Sequence, residues 1–106
     1  MRDRIYLSGK ITGRAPEDYR EQFAYAERFY KNGGFDVINP VTLGEALPGK
    51  PSYNDYMKAD LEALRTCTHI VMLEGWEESK GANKELKEAQ KLGLEIIFFR
   101  KIQKPY

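Results

Sequence analysis

Two carboxylates on two predicted helices, Asp60 and Glu85, offer this chain the most chemistry. Glu85 follows Ala82 by three residues and precedes Ala89 by four, so it borders the apolar stripe of its helix, while Lys84, Lys87, Glu88 and Lys91 fall on the solvent side. A carboxylate in that place must be hydrogen-bonded, paired or raised in pKa; the plainer alternative is an early-turn acid favoured by the helix dipole. Asp60 shares a face with Tyr53 and Tyr56, off the Met57/Leu61/Leu64 stripe, where a solvated Asp would also be at home. Both helices are expected to start at one sheet edge, so the two carboxylates could converge over the carboxyl ends of the strands. Two carboxylates facing one pocket is the arrangement that breaks glycosidic bonds, one attacking the anomeric carbon and the other managing protons.

Two loops could receive an anion. The first apolar run leads into Ser8-Gly9-Lys10-Ile11-Thr12-Gly13-Arg14 ahead of a helix. Glycines, hydroxyls and two cations before a helix N-terminus form either an anion cradle or an ordinary tight turn. The segment is not a Walker A loop, because Lys10 comes too early and no second Gly-Lys follows, nor is it a GxGxxG fingerprint. The third apolar run ends in Glu74-Gly75-Trp76-Glu77-Glu78-Ser79-Lys80-Gly81, just before the helix of Glu85. Ser79 there is an N-cap or a second donor to a shared anion. Trp76, a lone indole, could stack on a flat ligand or cap the core. His69 starts a buried strand and reads as structural, and Cys67 reads as a core thiol. With one His and one Cys in the chain, neither a metal site nor any cofactor is expected.

The elements that must position these residues alternate. Runs 5–9 (IYLSG), 35–39 (FDVIN), 69–73 (HIVML) and 95–99 (EIIFF) are short and rich in β-formers, the last two almost continuously apolar, as strands covered on both faces should be. Between the first two runs, Tyr19, Phe23, Ala26 and Tyr30 recur at helical spacing, with Pro16, Glu17 and Asp18 suited to the first turn and Asn32-Gly33-Gly34 to the stop. A second helix is predicted over about 53–66 and a third over about 79–92, closed by Gly93. The order βαβαβαβ implies a four-stranded parallel sheet with three helices and right-handed crossovers: a three-layer α/β/α, flavodoxin- or Rossmann-like fold. Residues 40–52 (PVTLGEALPGKPS) read as a long loop, either a surface excursion or a lid or pocket wall.

With 106 residues, the expectation is one domain over 1–106. The balance of 17 basic against 16 acidic residues argues against a nucleic-acid polymer as partner. The absence of a long apolar run and of a hydrophobic stretch behind MRDR argues against a membrane. The single cysteine suits a reducing, cytoplasmic setting.

IYLSGKITG at the start, DxxxL at Asp60–Leu64 and SKGANKELKEA at Ser79–Ala89 resemble the nucleoside 2-deoxyribosyltransferase-like superfamily. The first segment is most similar to its 2′-deoxynucleoside 5′-phosphate N-hydrolase branch, and INP after the second strand and the GWExSxGA loop to a short phage and bacterial branch. The most specific piece is S-x-G-x-x-x-E at Ser79, Gly81 and Glu85. The resemblance implies that Glu85 is a nucleophile forming a covalent deoxyribosyl-enzyme at C1′. It implies that Asp60 assists the departing base and activates the acceptor, and that Tyr6 positions the nucleophile. Gly9, Lys10, Ile11, Thr12 and Gly13, with Ser79 and Gly81, match a 5′-phosphate site; Ser79 replaces an Asp of the transferases, which would repel a phosphate. Trp76 and Asn39 are candidate base contacts. The implied activity is an N-glycosidase on 2′-deoxynucleoside 5′-monophosphates. Alternatives are base exchange between deoxynucleosides and a non-catalytic nucleotide-binding module. Thr68 departs from the Asp of many relatives. Relatives also continue past the position of Tyr106, where a neighbouring subunit's serine completes the phosphate site in the N-hydrolase branch. An open fourth strand and an apolar helix face still predict a homodimer.

Overall fold

Residues Arg4–Ser8 form strand β1, and its alternation decides the layering. In the computed structural model, which describes residues 3–100, Ile5 and Leu7 pack with Phe23, Ala26 and Tyr30 on one side of the sheet. Tyr6 faces the other side, with Leu64, Cys67, Ala82 and Ala89. Helix α1 (Pro16–Asn32) covers the first face, and α3 (Tyr53–Leu64) and α4 (Lys80–Leu92) cover the second. Strands β2 (Asp36–Ile38), β3 (His69–Leu73) and β4 (Glu95–Phe99) complete a four-stranded sheet in the order β2-β1-β3-β4. Every pairing is parallel, with Tyr6 beside Ile38 and Ile70, and Ser8 beside Met72. This is the three-layer α/β/α fold expected from the alternation of runs. The order places the switch in chain direction between β1 and β3, so their carboxyl ends open a crevice.

Two features differ from the sequence expectation. Residues 40–52 contain a further helix, α2 (Pro40–Glu45), giving four α-helices among the described residues rather than three. Asn39 caps it by accepting from the Val41 N–H at 2.9 Å, with Pro40 in the first turn. Its six residues are too few to show a 3.6-residue period, so only the cap announces it. Secondly, β4 has the same apolar composition as β3 but lies at the sheet edge. It is only half-buried, and Phe98 keeps 59% of its surface exposed.

The termini of α4 follow sequence logic. Ser79 accepts from the Ala82 N–H at 3.0 Å, and Gly93 closes the helix at φ +73, a conformation that favours glycine. Cys67 is buried, with its thiol against the Ala63 carbonyl. His69 lies at the amino end of β3, between Thr68 Oγ1 at 2.7 Å and the Glu95 carboxylate at 3.2 Å; Thr68 also ties the backbone of Arg4. Both residues brace the edge opposite the crevice. No helix among the described residues is long and apolar enough to cross a membrane.

Candidate active site

Strand β1 supplies two hydroxyls. Tyr6 and Ser8, two residues apart, point to the same face of the sheet and are fully buried. Helix α4 places Glu85 over them: Tyr6 Oη donates to Oε2 and Ser8 Oγ to Oε1, each at 2.7 Å. Glu85 is only 5% exposed. Asp60, partly buried on α3, interacts with both Glu85 and Tyr6. The two helices thus bring the carboxylates together over β1.

Burial pushes the Glu85 carboxyl up to about 8; the Asp60 charge adds to this, and the Tyr6 and Ser8 hydrogen bonds oppose it. Burial also raises Asp60 to about 6, against its hydrogen bonding with Glu85 and Tyr6. Tyr6 is held well above the ordinary phenol range, first by burial and then by the Glu85 charge, so it stays a donor. Two carboxyls in contact titrate as a pair, and between about 6 and about 8 this pair holds one proton. Both Glu85 oxygens already accept from hydroxyls, which favours the charge there and the proton on Asp60, the more accessible partner.

The pair opens into a cleft of about 620 Å³ walled by the loop after β1, by α2, by α3 and by the first turn of α4. Gly9, Lys10, Ile11 and Thr12 line it, facing Ser79 and Gly81. Gly9 is also needed for packing, because a Cβ there would lie 3.1 Å from the Phe23 ring and 3.2 Å from Leu73 Cβ. Lys10 reaches Glu78 at 3.4 Å. Three expectations need correction. Gly13 does not line the cleft; at φ +83 it turns the chain away. Arg14, read as a second cation for an anion, instead donates to the Lys10 carbonyl at 2.9 Å and to Gln22, which bonds the Glu74 carbonyl. It braces the loop. Trp76 and Asn39, expected at the base, are not cleft residues. Trp76 packs on Phe98 with ring centroids 5.8 Å apart, because the single 3₁₀ turn Trp76–Glu78 directs it to the α3/α4 face of β4. Asn39 is buried, spent on capping α2 and on donating to Glu27 at 3.1 Å.

Sequence reading missed Ser8 as a partner of Glu85, taking it only as part of the glycine-rich turn. Its signal was parity, since a hydroxyl two residues from Tyr6 on a buried strand must face the same neighbour. Of the two alternatives read for 40–52, the pocket wall is the one found: Val41 and Gly44 line the cleft with Tyr56 and Met57, an arrangement that only the folding of α2 against α3 creates.

Comparison with known proteins agrees with this architecture. No curated protein shows a significant sequence match. Among solved structures, a CMP N-glycosidase from Clostridium botulinum, BcmB, is similar with a TM-score of 0.65 at 21% identity, over 91% of this chain and 70% of that one. At that identity the likeness is one of fold. A family model described as a domain of unknown function, DUF4406, matches residues 3–98, and the chain therefore belongs to the DUF4406 family.

Proposed function

We propose that the protein is an N-glycosidase of 2′-deoxynucleoside 5′-monophosphates. The observation that carries this is Glu85: a buried carboxylate held by two hydroxyl donors at 2.7 Å, beside a second carboxyl, at a cleft lined by a glycine-lysine loop and a helix N-terminus. In this reading the 5′-phosphate lies between Lys10 and the start of α4, where a cation and the helix dipole both favour negative charge. Glu85 attacks C1′ through an oxocarbenium-like transition state. The C1′–N bond breaks, and the base leaves with the proton held by Asp60. Asp60 then takes a proton from water, the hydroxyl adds to C1′, and Glu85 departs as a carboxylate. The products are the free base and a 5-phosphosugar. Tyr6 and Ser8 keep Glu85 aimed and charged in a dry setting, where such interactions are strongest.

The similar fold of a CMP N-glycosidase favours a second reading with ribose in place of deoxyribose. The exposed edge strand β4 supports self-association, and the proposed setting is cytoplasmic. Incubation with each deoxy- and ribonucleoside 5′-monophosphate, with and without an added acceptor base, followed by chromatography for free base, tests the proposal. Base release without acceptor is expected. Release only with an acceptor would convert the reading to base exchange, and no release from any nucleotide would refute it.

A further inference from the structure

The wall of the cleft beside Asp60 contains an unexplained glycine. Gly44 lies within α2, with no left-handed φ to require it. Glycine inside a helix is less favourable than alanine, so its presence there calls for another reason. A Cβ at Gly44 would stand 3.0 and 3.2 Å from two carbons of the Tyr56 ring. The close approach of that ring is the reason.

Helix α2 cannot readily back away, since it is tied to α1 at both ends. Asn39 donates to Glu27 at 3.1 Å at its start, and Glu45 pairs with Arg20 at its end. A side chain at position 44 must therefore displace Tyr56. That ring is 40% exposed and lines the cleft. It lies four residues before Asp60, on the same face of α3. Tyr53, by contrast, is already engaged by the Lys84 ammonium, 5.2 Å from its ring centroid. Pro40, Val41 and Met57 add an apolar lining to the same cleft.

The geometry points to Tyr56 as the ledge on which the nucleobase stacks, with Gly44 setting the width of that slot and hence the size of base admitted. This rests on the N-glycosidase reading and adds the base subsite to it. Aromatic stacking contributes about 1–3 kcal/mol per base, a factor of roughly 5 to 150 in affinity, and a narrowed slot excludes the bicyclic purine before the pyrimidine.

Equilibrium titration tests it, in a Glu85→Gln background so that the ligand is not consumed, with pyrimidine and purine nucleoside monophosphates and with ribose 5-phosphate as the base-free probe. Tyr56→Ala is expected to weaken both nucleotides about tenfold, within the stacking range, and to leave ribose 5-phosphate unchanged. Tyr56→Phe should bind like the parent. Gly44→Ala should weaken purine more than pyrimidine, and should have no effect once Tyr56 is alanine, because the two act through one contact. Equal losses for ribose 5-phosphate, unchanged nucleotide affinity in Tyr56→Ala, or additive effects of the two substitutions would overturn the ledge while leaving the N-glycosidase reading intact. A parent that binds neither nucleotide nor ribose 5-phosphate would overturn both.

Discussion

Glu85 is the residue where the structure concentrates its cost. Burying a carboxylate without a cation is unfavourable unless its oxygens are bonded, and here both are, by Tyr6 and Ser8. In the proposed reaction the singly protonated Glu85–Asp60 pair is the active form. A plot of kcat/KM against pH is then expected to be bell-shaped, with limbs near 6 and 8 belonging to the pair. Tyr6→Phe removes a hydrogen bond that lowers the Glu85 pKa. In the singly protonated pair the charge sits on Glu85, so the acid limb, where Glu85 gains a proton, should move toward neutrality and the maximal rate fall about tenfold, in line with the loss of one charge-assisted bond. Asp60→Asn should lose about 10²- to 10⁴-fold in rate, the usual contribution of a positioned acid–base group, along with the alkaline limb. Rates across pH 5–9 for the three proteins check both expectations; an unmoved acid limb in Tyr6→Phe would count against the assigned role of that bond.

At the scale of elements, short α2 converts a loop into a wall. Its six residues cannot sustain a helix in isolation; the Asn39 cap and the ties to Glu27 and Arg20 hold it in place. Asn39→Ala removes the cap and the Glu27 bond together and should cost about 1–2 kcal/mol. If α2 forms the base-side wall, the same substitution should raise KM for the nucleotide more than it lowers kcat, because the Asn39 side chain bonds Glu27 of α1 and the start of α2 rather than the carboxylate pair. Thermal denaturation and steady-state kinetics of this variant separate the two effects. Helix α1 shows the contrasting case: Pro16 and the Tyr19–Tyr30 stripe were enough to read it from sequence, because seventeen residues display their period fully.

For the whole molecule, the raised carboxyls set a pH dependence of stability. The Glu85–Asp60 pair titrates near the ordinary 4.5 and 3.8 when unfolded and at about 8 and about 6 when folded, so between the unfolded and folded values the folded state binds extra protons on the pair. By linkage, this contribution to stability is complete below about 3.8 and is lost as pH rises through about 8, at up to about 1.4 kcal/mol for each pH unit and each extra proton held. Glu85→Gln, which cannot ionise, should therefore gain stability over the parent as pH rises from 5 to 8.5. Denaturant midpoints at several pH values measure this difference; parallel curves for the two proteins would show that the pair does not carry the raised titration.

The sequence by itself determined the four strands and the three longer helices between them, the two-sided sheet, and the presence of Glu85 at the margin of a buried face. These depend on local periodicity and capping, which are written in consecutive residues. It also singled out Asp60 and the Ser79–Gly81 segment by residue type and place, and Tyr6 through a resemblance that links residues far apart in the chain. Only the tertiary structure decided that Ser8 completes the Glu85 bonds, and that Arg14 braces a loop instead of facing the cleft. It alone showed Trp76 on Phe98 and Asn39 committed to a cap, both away from the cleft. It also decided that β4 is an edge strand despite a composition like that of buried β3. The physical reason is common to all of these. A side chain's type and period state which face it takes, but its partner is whichever atom lies closest after crossovers bring distant elements together.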